Sequence, residues 1–164
     1  MNVQSLMANK IRVGDEAPDF TLISASGQKI SLKDYIGKKN IVLYFYPKDN
    51  TPGCIREACG FRDNYEVFKG MGAEVIGVSS DSLEKHQGFV KKHNLPFILL
   101  SDEKKKVRKK FGVPSTLGLI DGRVTYIIDK KGDVIHIFSS QFQPKKHIDD
   151  AINVLKKLAD TPTA

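Results

Sequence analysis

Hydrophobic residues in this chain fall into short runs that alternate with amphipathic segments. The run at 41–46 is continuous and consists of β-branched, aliphatic and aromatic residues, a composition typical of a strand buried on both faces. A second buried strand is predicted at 73–79. Amphipathic helices are predicted from 52 to about 69 and over 83–92. We therefore expect strands and helices to alternate along the chain.

Shorter elements complete the pattern. A small N-terminal hairpin or extended pair is expected around Ser26 and Gly27. The other predicted elements are the strands 17–23, 28–32, 97–100, 123–129 and 133–138 and the helices 103–111 and about 145–158. This order predicts an α/β fold in which right-handed βαβ units end in an antiparallel hairpin.

Composition fits one soluble domain. The chain has 164 residues, with 40% hydrophobic and 27% charged residues, so we expect a single domain over 1–164 with flexible termini at 1–10 and 160–164. It lacks an apolar run near the ~20 residues of a membrane span and a signal-peptide-like start. We expect a cytoplasmic protein, or a plastid protein if a transit peptide has been removed.

Both cysteines lie in one short segment between a strand and a helix. Pro47 ends the strand because it removes a backbone donor, Thr51 is a good helix N-cap, and Pro52 suits the first helical position. Cys54 then falls in the first turn, where free N–H groups and the helix dipole favour a thiolate. Cys59 lies a turn and a half further along, outside that field.

The spacing of the two cysteines predicts a conformational change. On an ideal helix, residues i and i+5 are about 7.5 Å apart along the axis and about 140° apart around it, so their Cα atoms are roughly 8.6 Å apart. A disulfide needs Cα atoms within about 7 Å. A bond between Cys54 and Cys59 therefore requires the first helical turns to unwind.

The segment around Cys54 resembles the active site of peroxiredoxins. Pro47, Thr51 and Cys54 match the family signature Pro-x-x-x-Thr-x-x-Cys, and Cys59 five residues on is similar to the bacterioferritin comigratory protein or PrxQ branch. The resemblance covers nearly the whole chain. It continues through 14–20, 95–102, 123–129 and 141–158.

The resemblance implies a thioredoxin-like fold and a thiol peroxidase that reduces hydrogen peroxide and organic hydroperoxides in antioxidant defence. Cys54 would become a sulfenic acid, and Cys59 would resolve it as an intramolecular disulfide. Thioredoxin or a similar dithiol reductant would recycle that disulfide. The resemblance implies no cofactor and no metal, and the intramolecular pair favours a monomer.

Five further residues acquire roles from the resemblance. By position alone, Arg123 reads as an exposed charge at a strand end, but in peroxiredoxins an arginine here stabilises the thiolate and holds the peroxide. The hydroxyl of Thr51 would contact the reacting oxygens, and Pro47 and Gly53 would complete the substrate site. Glu57 is either the family's arginine-orienting carboxylate or a first-turn residue that complements the helix dipole.

Other charged and titratable residues have simpler interpretations. Arg56 is expected to be exposed, and Arg62 to be an ion-pair partner. The segment 104–111 resembles a nucleic-acid patch beside a net charge of +7, but Val107 and Phe111 indicate an amphipathic helix with a solvated basic face. We expect neither specific nucleic-acid binding nor membrane binding. The histidines at 86, 93, 136 and 147 lack metal-ligand spacing, so we place them on the surface or in strands and expect no zinc.

Two rival functions remain open. A thioredoxin-type disulfide oxidoreductase is disfavoured because the spacing is Cys-x₄-Cys and not Cys-x₂-Cys. A basic, non-enzymatic binding or chaperone module is supported only by the excess of lysine and arginine.

Overall fold

The computed structural model describes residues 10–116 and 120–160. The strands are β1 (Thr21–Ser24), β2 (Lys29–Ser31), β3 (Asn40–Phe45), β4 (Ala73–Ser79), β5 (Ile98–Ser101), β6 (Ser115–Thr116), β7 (Ile120–Asp121), β8 (Val124–Ile128) and β9 (Val134–Ser139). The helices are α1 (Pro52–Asp63), α2 (Tyr65–Gly70), α3 (Leu83–His93), α4 (Lys106–Phe111) and α5 (Pro144–Asp160), with a 3-10 turn at Leu32–Asp34.

Seven strands form one mixed sheet in the order β2-β1-β5-β4-β3-β8-β9. The central strands β3, β4 and β5 are parallel, whereas β8 pairs antiparallel with β3 and β9 with β8. The two-stranded sheet β6-β7 lies outside this order. The expected central mixed sheet flanked by helices is confirmed.

The sheet separates two hydrophobic clusters, and β3 contributes to both. Val42 and Tyr44 pack in the cluster that contains Cys54, while Leu43 and Phe45 pack in the cluster on the opposite face. Alternate residues of a strand point to opposite faces, so a strand buried on both faces must be apolar throughout. This burial holds the end of β3, and the loop that follows it, in a fixed place.

Three local differences from the sequence prediction have physical causes. The helix expected over 52–69 is divided at Asn64, whose side-chain amide donates to the carbonyl of Gly60 at 2.9 Å. The helix expected over 103–111 begins later because Asp102 accepts from the backbone of Val107 and Arg108. The N-terminal hairpin belongs to the main sheet, since β1 pairs with β5.

The seven-stranded sheet contains strands from both ends of the described part of the chain, β1 and β9. The single-domain assignment stays a prediction. The flexible termini predicted at 1–10 and 160–164 fall, apart from residues 10 and 160, outside the described residues. Among the described helices, none combines the length and apolar character needed to cross a membrane.

Candidate active site

The loop between β3 and α1 places Thr51 and Pro52 at the start of the helix. Thr51 is extended, with φ −93° and ψ 148°, and Pro52 occupies the first helical turn as predicted. The hydroxyl of Thr51 does not cap the helix, however, because it donates to the carbonyl of Lys48 at 2.8 Å. Thr51 therefore occupies the predicted N-cap position, but its hydroxyl closes the preceding loop instead of accepting from a helix N–H.

Cys54 is buried in the first turn of α1, with 1% of its surface exposed. The guanidinium of Arg123, which directly precedes β8, donates from Nη2 to the Cys54 sulfur at 3.4 Å. Burial lowers the pKa of Arg123, but Glu57 and Cys54 raise it by more, so the pKa lies above its ordinary value. The guanidinium therefore stays charged beside the sulfur.

Glu57 lies one turn beyond Cys54 and completes this arrangement. Its Oε1 accepts from Arg123 Nη1 at 2.7 Å, and its side chain is fully buried. Burial raises the pKa of Glu57 to about 8, against the opposing effect of Arg123. The position of Arg123, with 5% of its surface exposed, excludes the interpretation as an exposed strand-end charge.

The absence of a side chain at Gly53 leaves space for the guanidinium of Arg123. A Cβ atom at this position would lie 3.0 Å from Arg123 Nη2, closer than ordinary packing allows. The sequence placed Gly53 in the substrate site, and the structure adds this packing contact with Arg123.

His147 of α5 is a member of the cluster that sequence reasoning missed. Its Nε2 donates to the carbonyl of Ser140 at 2.8 Å, while Nδ1 lies 2.7 Å from Thr125 Oγ1 and 3.6 Å from Glu57 Oε2. Burial lowers the pKa of His147 to about 4. The expectation of a surface or strand histidine is wrong here. Helical spacing with the apolar residues Ile148, Ala151 and Leu155 was the available signal.

A second buried histidine, His86 of α3, holds the loop before Cys54. Its Nδ1 lies 2.6 Å from Asp49 Oδ2, and its Nε2 donates to the carbonyl of Leu100 at 2.9 Å. Tyr46 donates to the other oxygen of Asp49 at 2.6 Å. The surface position expected for His86 is therefore also wrong, and no sequence signal marked this contact.

Asp49, His86 and the neighbouring Asp81 come within the distances of a metal cluster, yet their atoms are already engaged. Asp81 Oδ2 accepts from the backbone of Asp49 at 2.8 Å and from Ser79 at 2.7 Å. Both carboxylate oxygens of Asp49, Oδ2 of Asp81 and both ring nitrogens of His86 have hydrogen-bond partners among the described residues. Through these hydrogen bonds the three residues hold the loop between β3 and α1 in position.

Cys59 lies on the same uninterrupted helix as Cys54, and both thiols are free. Its side chain is partly exposed, with the sulfur 3.9 Å from Nδ1 of His93. Arg62 forms its expected ion pair, with Asp63 at 3.0 Å, and also donates to the carbonyl of His93 at 2.7 Å. The reduced pair thus has the helical spacing that the sequence predicted.

Pro47 and Thr51 line a groove of about 500 Å³ together with residues that include Ile120 and Asp121. Arg56 is exposed, as expected.

The basic segment at 104–111 also has the predicted form. Val107 and Phe111 of α4 are buried, and the lysines between and before them are exposed. Arg108 departs from this pattern, because its buried guanidinium donates to the carbonyls of Gly122 at 2.9 Å and Tyr46 at 2.7 Å. The amphipathic helix is therefore confirmed, and Arg108 supports the strand end beside the site.

Comparisons with known proteins agree with this geometry. The model of the AhpC/TSA family matches residues 13–137. The chain is 53% identical over 150 residues to chloroplastic peroxiredoxin Q of Sedum lineare, covering 91% of this chain and 80% of the relative. It is 51% identical over 154 residues to chloroplastic peroxiredoxin Q of Triticum aestivum, covering 93% and 70%.

Solved structures show the same fold. Peroxidoxin BcpB of Mycobacterium tuberculosis superposes with a TM-score of 0.84 at 34% identity, covering 90% of this chain and 98% of that one. A cysteine-to-serine variant of Xylella fastidiosa PrxQ gives a TM-score of 0.84 at 30% identity, covering 91% and 98%. The predicted thioredoxin-like fold is confirmed. The chain belongs to the AhpC/TSA family and, within it, to the PrxQ branch of the peroxiredoxins, which are thiol peroxidases.

Proposed function

We propose that Cys54 is the residue of this peroxidase that attacks the peroxide, and that Arg123 stabilises it. The contact of 3.4 Å between Arg123 Nη2 and the Cys54 sulfur carries this assignment. A buried, charged donor at the first turn of a helix favours a thiolate, and it remains in place for the charge that develops during the reaction.

In the first step, the Cys54 thiolate attacks the terminal oxygen of a hydroperoxide. A sulfur–oxygen bond forms, the peroxide O–O bond breaks, and the leaving oxygen takes up a proton to become an alcohol or water. The hydroxyl of Thr51 already donates to Lys48, so its oxygen is available to accept from the peroxide O–H. Pro47 and Gly53 shape the approach beside it.

In the second step, the Cys59 sulfur attacks the sulfenic acid of Cys54, and water leaves as the disulfide forms. The intact helix between them must first unwind, because its geometry holds the two Cα atoms too far apart. A dithiol reductant of the thioredoxin type then restores both thiols. This makes the enzyme an atypical 2-Cys peroxiredoxin.

The oligomeric state, the localisation and the binding partners of the enzyme are also part of the proposal. An intramolecular cysteine pair requires no second subunit, which supports a monomer. The relatives named chloroplastic favour the plastid over the cytoplasm. The amphipathic form of α4 argues against specific nucleic-acid binding, and no membrane contact is proposed.

Whole-protein mass spectrometry after one equivalent of peroxide tests the two cysteine assignments. The wild type should lose two hydrogens as the intramolecular disulfide forms. Cys54→Ser should consume no peroxide, because a hydroxyl cannot supply the attacking anion. Cys59→Ser should stop at the sulfenic acid and over-oxidise in excess peroxide. Normal turnover of Cys54→Ser would refute the assignment.

A further inference from the structure

Two buried acids, Cys54 and Glu57, contact one buried guanidinium, while the other buried guanidinium near Cys54, that of Arg108, also faces Asp121 and Asp102. Arg123 is the cation that contacts both the Cys54 sulfur, at 3.4 Å, and Glu57 Oε1, at 2.7 Å. If Cys54 and Glu57 were both ionised, this buried cluster would have an uncompensated negative charge. Burying an unpaired charge is costly, so one of the two acids should keep its proton.

The surroundings of the second carboxyl oxygen identify which acid that is. Glu57 Oε2 is buried without a hydrogen-bond partner among the described residues, and it faces Nδ1 of His147 at 3.6 Å. Nε2 of His147 donates to the carbonyl of Ser140, and the lone pair at Nδ1 accepts from the Thr125 hydroxyl at 2.7 Å, so the ring offers no donor to Oε2. An ionised Oε2 would be a buried charge without a donor, and a proton on Oε2 removes that charge.

The other titratable groups around Glu57 agree with a protonated carboxyl. Burial raises the pKa of Glu57 to about 8 and lowers the pKa of His147 to about 4, so the histidine does not hold the proton at neutral pH. Tyr44 of β3 is neutral, because burial and nearby acids raise its pKa well above the ordinary value. The guanidinium of Arg123, whose pKa is raised, then carries the positive charge that contacts the Cys54 sulfur.

We propose that Glu57 stores a proton while Cys54 is a thiolate and releases it when the sulfur is oxidised, matching the proton that the leaving oxygen takes up. The step becomes Cys54–S⁻ + Glu57–COOH + ROOH → Cys54–SOH + Glu57–COO⁻ + ROH. The sulfur is oxidised and the peroxide reduced, and atoms and charge balance. After the step, Arg123 pairs with an ionised Glu57, so the cluster is neutral before and after. The inference rests on the proposed role of Cys54.

The proton count of the step provides the test. The protein is rapidly mixed with one equivalent of hydroperoxide in weakly buffered solution at neutral pH, with an indicator dye. The Cys59→Ser background stops the reaction at the sulfenic acid, which is counted by mass. With Glu57 present we expect close to zero protons taken up from solution per sulfenic acid. With Glu57→Gln we expect close to one, because the leaving oxygen then draws its proton from the solvent.

Thiolate absorbance before mixing establishes the starting state. An uptake near one in the protein with Glu57 would overturn the proposal, and so would zero uptake without a thiolate signal, since Cys54 would then supply its own proton. His136→Asn is the matched control, because His136 and Asp150 form a pair at 2.6 Å between β9 and α5 outside the cluster. This variant should take up as few protons as its parent.

Infrared difference spectroscopy of the protein with Glu57 provides a measurement that does not depend on whether Glu57→Gln folds. Oxidation should remove the carbonyl band of one protonated carboxyl, and labelled glutamate should shift that band. Unchanged carboxyl absorbance would overturn the proposal while leaving the role of Cys54 intact. Absence of sulfenic acid at Cys54 would instead overturn the site assignment itself.

Discussion

Each nitrogen of the Arg123 guanidinium has its own acceptor. Nε donates to the carbonyl of Gln141 at 3.1 Å, Nη1 to Glu57, and Nη2 to the Cys54 sulfur. The planar fork is thereby held at a fixed angle to the sulfur. A lysine would supply the charge without this fixed direction.

We expect Arg123→Ala to slow the peroxide step by roughly 10²–10³, the loss typical of one preorganised donor. Arg123→Lys should recover only part of that loss, because charge alone does not restore the fork. Rapid-mixing measurements of sulfenic acid formation would check both variants, with circular dichroism to establish folding. A folded Arg123→Ala variant with an unchanged rate would remove Arg123 from the proposed mechanism.

Gly53→Ala tests the same contact without removing the arginine. The added Cβ would lie 3.0 Å from Arg123 Nη2, so the guanidinium must shift by a few tenths of an ångström. The peroxide rate should fall, but by less than in Arg123→Ala. Gly88→Ala in α3 is the control, since its Cβ would meet nothing within 4 Å. It should leave the rate unchanged and stabilise the helix by up to about 1 kcal/mol. Equal rates in the two glycine variants would contradict the prediction.

Among the secondary-structure elements, those that are determined by neighbouring residues in the chain could be predicted from the sequence. The strand at β3 and the start of α1 at Pro52 follow from an apolar run and a proline, which act within a few residues. The position of Arg123 depends instead on the antiparallel pairing of β8 with β3, which sets Val124 opposite Phe45. Nothing near Arg123 in the sequence encodes that register, and the family resemblance alone indicated its role.

The buried histidines show the same limit. His86 is placed by Asp49 and by the carbonyl of Leu100, and His147 by Thr125 and Ser140. These partners come from other elements, so spacing along the chain does not reveal them. Thr51 occupies the predicted N-cap position, but its hydroxyl donates to the loop carbonyl of Lys48, a contact that spacing along the chain does not reveal either.

The helix α1 itself makes a prediction, because it is uninterrupted over Pro52–Asp63 in the reduced protein. Disulfide formation should melt its N-terminal turns, so amide exchange across 52–62 should become markedly faster on oxidation. The strand at 41–46 should stay protected because its ladder is untouched. Peroxide-treated Cys59→Ser, which forms no intramolecular disulfide, should keep the helix protected. Equal exchange in reduced and oxidised wild type, with the disulfide verified by mass, would contradict the prediction.

At the scale of the whole molecule, the buried cluster joins elements that are distant in the chain. Glu57 belongs to α1, Arg123 directly precedes β8, and His147 belongs to α5. The helices α1 and α5 also pack closely, since a Cβ at Gly60 would lie 2.9 Å from Ile148 Cδ1. Unfolding exposes all three side chains to water, so the protonation states of the cluster should appear in the stability of the reduced, folded protein.

Two pH windows follow, with opposite signs. The pKa of Glu57 is raised from 4.5 to about 8, so its protonated form stabilises the fold below that range, and stability is lost as pH rises through it. The pKa of His147 is lowered from 6.5 to about 4, so the neutral ring stabilises the fold above that range, and stability is lost as pH falls through it. Each slope should reach at most about 1.4 kcal/mol per pH unit.

Urea unfolding of the reduced protein across these windows provides the measurement. Between pH 4.5 and pH 6.5 the two contributions oppose each other, so Glu57→Gln should flatten the decline between pH 6.5 and about 8, because glutamine has no proton to lose. The same variant should expose the opposing slope of His147 below pH 6.5, and adding His147→Gln should remove it. Adding His136→Asn instead, which alters a pair at 2.6 Å that is partly exposed, should leave that slope in place. If Glu57→Gln kept the alkaline slope of the wild type, the carboxyl would be ionised in the folded protein. Glu57 would then have no proton to supply, and the peroxide step would have to draw it from the solvent or from a protonated Cys54.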